Sequence, residues 1–378
     1  MWQSIRVYYY NDNKEELLKH AFGPVMRELR EQFGIRRQYM RRHWKLGPHL
    51  ALIVDIKDCG EQRYYEEVLP YIKRRLEEYL QDSPSSTVLN SESYIALSRK
   101  LGGWEFEPGP YEPLQADNTI VSGPADHLSE DMGSPELGEM LRCFYSDTAP
   151  LLLETLERTE ISDEERYGLV VQLMAIIGSL YPEEGLLRGH LSYRSQLEGY
   201  INQFPEPDAV RRHMANWTDQ LGRQIRYQVQ AITDCLEDGV YAGADPLLRQ
   251  WSVVAKTLYD RAYKVAFKGE LVVPKEQYKS LEDHYEDETR GRWGKQAEHL
   301  FGSPAYAAYR IPVNAFYYLM PLMGITPHMK HILCELISSA VERLYGTTWQ
   351  ELTGRYTGLR QRRQRELAVG SPAEPYAN

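Results

Sequence analysis

The sequence predicts an α+β protein, in which a small N-terminal sheet with helices precedes a larger, mostly α-helical region. Within the first hundred residues, short alternating segments of β-branched and aromatic residues predict strands, and stretches with apolar residues at helical spacing separate them. From residue 135 onward, apolar residues recur at the spacing of one helix face. We divide the chain into an α+β unit (1–100), an ordered connector loop (101–134), a helical region (135–348) and a basic tail that becomes disordered (349–378).

The first predicted elements are a strand and a helix. Residues 4–10 read SIRVYYY, an alternating run that is typical of strands. Asp12 and Glu15 have the spacing of a capping box, which predicts that a helix begins there. Gly23-Pro24 interrupts the helical pattern and predicts a kink, because proline has no N–H to donate.

A β-hairpin and a second helix follow. Residues 35–44 and 49–57 are predicted strands, joined by a turn that contains Gly47-Pro48. Residues 62–80 are amphipathic and predict a helix, which ends before the polar linker 82–93. Residues 104–135 are rich in Gly, Pro and Asp and have no clear period, so they form the predicted connector.

The helical region has clear start signals. Ser162 with Glu165 forms a capping box, and Asp245-Pro246 combines an N-cap residue with a proline at the first helical position. Pro150 marks a kink or a break in the first of these helices. The predicted helices cover residues 135–156, 162–180, 208–236, 246–267, 309–323 and 327–345.

Composition narrows the class of protein. The net charge of -10 argues against a nucleic-acid-binding protein, and the four cysteines are far apart, as expected for a reducing cytoplasm. We find no signal peptide and no apolar run of about 18 residues, so we expect a cytoplasmic protein that does not enter membranes. The chain has 28 tyrosines and only 8 phenylalanines. Tyrosines suit a site for an extended, semi-polar ligand, or they replace phenylalanine at half-buried positions.

Short motifs identify no catalytic chemistry. The chain lacks the phosphate-binding glycine loops, the nucleophile elbow and the zinc-protease motif. His328 and His331 have metal-like spacing but no acidic third ligand, so we expect no metal and no cofactor. Residues 36–44 are more informative, because strand alternation places Arg37, Tyr39, Arg41 and His43 on one face. Either face of this strand suits an anionic or amide-rich ligand, or the strand is an exposed edge kept soluble by charge.

Several ordered landmarks nevertheless resemble a known family. The opening segment, from SIRVYYY through FGPVMRELREQFGIRRQYMRRHWKLGPHLAL, resembles the elimination domain of class I lantibiotic dehydratases and their stand-alone thiopeptide relatives. The segments PLQADNTIV, DMGSPELGEM and YRIPVNAFYYLMPLMGITPHMKHILCELISSAVE resemble later parts of that domain. The resemblance covers residues 4–345. It implies an elimination-domain-like fold in which residues 1–100 bind a peptide.

The residues that carry out elimination in this family are replaced. Eliminating members have a His-x-Arg-x-Arg pattern after the Gly-Pro turn, and their arginines hold the glutamyl leaving group. Here those positions are Ala51 and Ile53. The arginine of a later loop is replaced by Asp131, and the closing helix reads YYLMPLMG at residues 317–324, with neither His nor Arg. The chain therefore lacks, at the family's positions, the cations and the base that elimination needs.

The pattern is most similar to the thiopeptide pyridine synthases of this family. Such enzymes join two dehydroalanines of a modified precursor peptide by a formal aza-[4+2] cycloaddition, and the leader peptide and water are then lost. Two alternatives stay open: a glutamyl-eliminating lyase with relocated residues, and a non-catalytic subunit that binds the precursor or docks a dehydratase. The expected partners are thus a precursor peptide with its leader and other biosynthetic enzymes.

Candidate site residues follow from their position in the resemblance. The predicted catalytic residues are Tyr317, Tyr318, Asn314 and His43, and the predicted substrate-binding residues are Arg42, Trp44, His49, Tyr309 and Arg310. Tyrosine, histidine and carboxylate side chains are able to move the protons that tautomerisation and aromatisation require. Each tyrosine has an alternative role in core packing, and a Trp and a His beside a Gly-Pro turn also stabilise a hairpin.

Overall fold

The computed structural model describes residues 1–105, 107–125, 135–159, 162–269, 271 and 303–356. These residues fall into two compact units, one within 1–169 and 237–330 and the other within 170–236 and 331–378. The chain is mostly helical and has a small antiparallel sheet near its N-terminus, so the predicted α+β class is confirmed. The division into a 1–100 unit, a connector and a helical region stays a prediction.

The four-stranded sheet of the first unit has the order β2-β3-β1-β4, and every neighbouring pair is antiparallel. Its strands are β1 (Trp2–Tyr8), β2 (Gln38–His43), β3 (His49–Asp55) and β4 (Thr119–Pro124). The predicted first strand and hairpin are confirmed. Strand β4 lies within the predicted connector loop, a stretch that is rich in Gly, Pro and Asp and has no clear period in the sequence. Its pairing with β1 shows that it is a strand.

Two helices of the first unit contain a wide, π-helical turn just before a proline. Helix α1 runs through Glu15–Leu17, Leu18–Phe22 and Gly23–Phe33, and α2 runs through Glu61–Arg63, Tyr64–Val68 and Leu69–Asp82. The wide turns accommodate Pro24 and Pro70, which cannot donate the usual helical hydrogen bond. The predicted capping box is wrong: the N-cap residue of α1 is Lys14, and the Asn13 side chain accepts the hydrogen bond from the Glu15 N–H.

The other helices of the first unit are α3 (Ser91–Glu105), α4 (Pro135–Arg158), α5 (Asp163–Gly178), which continues into the second unit, α8 (Pro246–Phe267) and α9 (Pro304–Leu319). Helix α4 continues through Pro150, so a break there is wrong. Both predicted start signals are confirmed, because Ser162 Oγ accepts the Glu164 N–H and the Asp245 carboxylate accepts two backbone N–H groups. A 3-10 turn, Met320–Met323, follows α9.

The second unit is helical. It contains the predicted helices α7 (Pro207–Asp234) and most of α10 (Pro327–Tyr345), together with α6 (Leu186–Ile201), which the sequence reading did not identify. A half-buried network joins α6 to α10: Arg194 pairs with Glu335 at 2.7 Å and with Glu342 at 3.1 Å. None of the described helices combines the length and apolarity needed to cross a bilayer.

Candidate functional site

One face of the sheet in the first unit carries most of the predicted chemistry, and we call it the inner face. Strand register places these residues on it: Trp2, Ser4, Arg6 and Tyr8 of β1, Tyr39, Arg41 and His43 of β2, His49, Ala51 and Ile53 of β3, and Thr119, Val121 and Gly123 of β4. Helix α4 packs against one end of this face. There the Arg142 guanidinium lies 5.3 Å from the Trp2 ring, and the Tyr145 and Tyr39 rings are 5.4 Å apart.

Two arginines lie in the middle of the inner face. Arg6 of β1 and Arg41 of β2 are each directly across from Ala51 of β3. Both arginines are half-buried, whereas Ala51 and Ile53 are each 3% exposed. The two positions at which eliminating relatives are expected to carry arginine therefore form an apolar floor, and cations occupy the strands on either side of Ala51.

The predicted residues His43, Trp44 and His49 form an aromatic cluster at the hairpin end of this face. The His43 ring stacks on Trp44 at 5.1 Å, and Trp44 stacks on Tyr111 at 6.0 Å. His49 is buried, its ring lies 4.8 Å from that of Tyr8, and its Nδ1 is 2.9 Å from the Gly47 carbonyl. The structure thus brings these three residues together and packs them within the turn.

His43 is neutral in this setting. Burial lowers its pKa to about 2, and the cations Arg41 and Lys45 act in the same direction. Its Nδ1 accepts a hydrogen bond from the Lys45 N–H at 3.1 Å, so the ring proton resides on Nε2. The side chain is therefore a weak base that is equipped to donate a hydrogen bond through Nε2.

Arg42 points to the opposite face of the sheet. Its guanidinium donates to the carbonyls of Pro321 at 3.4 Å and Asp12 at 3.2 Å, and burial lowers its pKa. Both of these contacts are to backbone oxygen atoms. Its expected contact with an acidic leader stays a prediction.

Helix α9 carries the remaining predicted residues. Tyr309 is fully buried, Asn314 and Arg310 are half-buried, and Tyr318 is 59% exposed. Tyr318 is close enough to Tyr145 to contribute to a raised pKa of that buried phenol, for which burial is the main cause. The Lys330 Nζ lies 5.1 Å from the ring centre of Tyr317. The interaction with Tyr145 places Tyr318 beside the inner face.

Sequence reasoning missed Tyr145 and Arg6 as members of this site. Tyr145 lies in the middle of a helix with strongly apolar surroundings, and no local signal separates it from a core residue. The alternation of β1 indicates in the sequence which face of the strand Arg6 is on. The residues beside Arg6 on the neighbouring strand become known only from the pairing of β1 with β3. The position of Asp131 lies outside the described residues. Within the described ranges, no three His, Cys, Asp or Glu side chains gather in a way that suits a metal ion.

Comparison with known proteins identifies a family and two similar solved structures. Residues 2–341 match the family described as lantibiotic biosynthesis dehydratase C-term. No curated protein matches the sequence. The pyridine synthase TbtD, from thiomuracin biosynthesis, has a similar fold with a TM-score of 0.73 at 23% identity, covering 91% of this chain and 99% of TbtD. TsrL has a TM-score of 0.66 at 18% identity, covering 93% of this chain and 97% of TsrL.

Proposed function

This chain belongs to the lantibiotic biosynthesis dehydratase C-terminal family, and we propose that it is a pyridine synthase-like cyclase of thiopeptide biosynthesis. The proposed substrate is a modified precursor peptide that carries azoles and two dehydroalanines. The protein joins the two dehydroalanines by a formal aza-[4+2] cycloaddition, and loss of water and of the leader peptide gives a pyridine within a macrocycle. A fold shared with a pyridine synthase over nearly the full length of both chains supports this proposal.

The observation that carries the proposal is the apolar floor of the inner face. Ala51 and Ile53 are buried side by side on β3, at the positions where the resemblance places the arginines of eliminating members. An elimination site has to stabilise the departing glutamate, whereas a cycloaddition site has to bring two alkenes together. Apolar and aromatic side chains suit the second task.

Proton transfer is the remaining chemical requirement. An amide tautomerises to the azadiene when its N–H proton is removed and a proton is delivered to its oxygen, and the adduct later loses water and the leader amide. Tyr318, which is exposed and lies beside Tyr145, is the proposed proton carrier. Neutral His43 offers an Nε2–H as a hydrogen-bond donor to a peptide carbonyl. The aromatic cluster of Trp44 and Tyr111 supports stacking of azole rings.

The direct test supplies a linear peptide that already carries azoles and two dehydroalanines. We expect two products by mass spectrometry: a free leader fragment and a macrocycle with a new six-membered nitrogen ring. An unchanged peptide would contradict the cyclase and favour a non-catalytic precursor-binding subunit, provided that the peptide still binds.

A glutamyl-eliminating lyase is the second candidate, and one observation favours it. Arg6 and Arg41 flank Ala51, so cations are present one strand away from the family's usual positions. A peptide with a glutamylated serine distinguishes the two functions. We expect no conversion to dehydroalanine, and a dehydrated product would replace the cyclase by the lyase.

A further inference from the structure

A groove between two helices of the first unit takes no part in the chemistry proposed above. Helices α4 and α8 pack against each other, and the first turns of α4 and the last turns of α8 enclose a cavity of about 730 Å³, which we call the α4–α8 groove. Its lining is mostly apolar and includes Met140 and Cys143 of α4 and Tyr263 and Phe267 of α8. Clefts that bind ligands commonly enclose about 300–1,000 Å³, so this groove is large enough to hold several side chains of a partner.

Aromatic rings form a ladder along the α8 side of the groove. Tyr259, Tyr263 and Phe267 follow one another at helical spacing, with ring centres 6.1 and 6.2 Å apart. The ladder begins at the buried Tyr259 and ends at Phe267, which is 73% exposed. A phenyl ring beside an apolar cavity is stabilised when a partner covers it, because apolar surface is then removed from water. The groove therefore suits a segment with apolar side chains.

The α8 side of the groove is also basic, because Lys264 and Lys268 line it together with Arg261. The two lysines have no hydrogen bond or ion pair with any residue that the structure describes, and Arg261 has a longer-range interaction with the Asp147 carboxyl. The chain as a whole carries a net charge of -10, so this cluster of cations is a local departure from its acidic character. Complementary charge therefore favours an acidic partner.

The groove adjoins the inner face of the sheet through Arg37. The Arg37 guanidinium pairs with Glu139 on the α4 side of the groove and lies 4.9 Å from the ring of Trp2, an inner-face residue. A peptide in the groove thus has the inner face next to it. This continuity favours a peptide over a lipid surface, and the carboxylate of Glu136 on the α4 side would repel anionic headgroups.

We propose that the α4–α8 groove binds an acidic, amphipathic segment of the leader of the precursor peptide. Apolar side chains of this segment cover Tyr263 and Phe267, and its carboxylates face Arg261, Lys264 and Lys268. The precursor as the carrier rests on the proposed function, whereas the groove itself rests on its geometry and charge. Binding here holds one end of a long peptide beside the inner face, which raises the effective concentration of the rest of the peptide there.

Two labelled peptides test the groove without the precursor. The first is a short fluorescein-labelled peptide of leucine and glutamate in an amphipathic helical pattern, and the second has glutamine in place of each glutamate. We expect fluorescence anisotropy to show that the wild type binds the leucine–glutamate peptide, and that it binds the glutamine peptide more weakly. Added salt should lower the affinity, since exposed charge pairs are screened over about 10 Å at 0.1 M. Equal binding of both peptides, or no binding, overturns the proposal. If neither peptide binds but the protein sediments with phosphatidylglycerol vesicles, the groove belongs to a membrane surface and the proposal is also overturned.

Substitutions at exposed positions locate the binding. Phe267→Ser and Lys264→Glu should each weaken binding of the leucine–glutamate peptide by roughly 10-fold or more, as for residues that anchor an interface. Tyr227→Ser and Lys57→Glu place the same residues at exposed positions outside the groove lining and should leave the affinity unchanged. If Phe267→Ser has a lowered Tm, Lys264→Glu decides the test. Wild-type affinity in both groove variants overturns the proposal.

Alkylation of cysteines gives an independent position for the bound peptide. Cys143 lines the groove, whereas Cys59 and Cys235 are also half-buried but do not line it. The leucine–glutamate peptide should slow the reaction of iodoacetamide with Cys143 and leave the other two rates unchanged, as measured by mass spectrometry. An unchanged rate at Cys143 would show that the peptide binds elsewhere and would overturn the proposal.

A cyclisation experiment separates this inference from the proposed function. Dehydroalanine peptides with and without a leader are compared by their KM. We expect removal of the leader, and Phe267→Ser with the leader present, to raise KM by roughly 10-fold. If the wild type and Phe267→Ser cyclise the peptide with its leader at one KM, the groove inference fails while the cyclase stands. If the leucine–glutamate peptide binds as expected but no dehydroalanine peptide is cyclised, the groove stands and the cyclase fails.

Discussion

Lys14 is a buried amine just after β1, and its removal should change how stability depends on pH. The side chain is 3% exposed, and its Nζ donates to the carbonyls of Tyr9 and, at 2.6 Å, of Asn11. Burial, assisted by the nearby Arg42 cation, lowers its pKa from 10.5 to about 7. A neutral amine keeps two N–H donors, which is enough for these two carbonyls.

The direction and the magnitude of the pH effect on stability follow from this lowered pKa. Between pH 7 and pH 10.5 the unfolded chain holds a proton on Lys14 that the folded chain has released, so the free energy of unfolding rises with pH. One pH unit in this window corresponds to about 1.4 kcal/mol. From pH 7 to pH 9 we therefore expect the wild type to gain about 2 kcal/mol relative to Lys14→Met, in which nothing titrates at this position.

Urea unfolding at pH 7, 8 and 9 measures this difference. Subtracting the variant from the wild type at each pH removes the contribution of all other groups. Lys57→Met removes the same charge from an exposed position and is the matched control. A difference that is constant with pH, or that falls as pH rises, would show that Lys14 remains an ammonium in the folded protein and would refute the reasoning.

Three further predictions concern the site and the scaffold. Tyr318→Phe should lower kcat by about 10²–10⁴-fold, and its Tm should stay unchanged because the Tyr318 ring is mostly exposed. Tyr317→Phe should lower kcat by less. If both variants react at the wild-type rate, the two tyrosines are packing residues. His43 should contribute no ionisation between pH 5 and 9, so an acidic limb of kcat/KM that disappears in His43→Asn would contradict its low pKa. Asp245→Ala should lower the free energy of unfolding, measured with urea, by about 1–2 kcal/mol. Asp245→Asn keeps the N-cap acceptor and should lower it by less.

Several features with a local cause were predictable from the sequence, although the capping box predicted at Asp12 was wrong. The hairpin, the N-caps at Ser162 and Asp245 and the helix Pro246–Phe267 depend on neighbouring residues, and the structure has all of them. The family resemblance also depends on linear order, and the family match confirms it. The helix Leu186–Ile201 was missed because glycines and polar residues interrupt the helical spacing of its apolar residues. Burial against other helices of its unit stabilises it.

The sequence by itself determined the α+β class and the family, and it has Ala51 and Ile53 at the two positions where the resemblance leads us to expect arginines. Only the tertiary structure decided that other arginines stand beside Ala51. Arg6 and Arg41 are far apart along the chain, and each lies in a strand whose alternation is visible, but strand order and register decide what lies across from them. A shift of register by one residue would turn each of these side chains to the opposite face. Register depends on burial across the whole sheet, which is a property of the folded chain and not of any one segment.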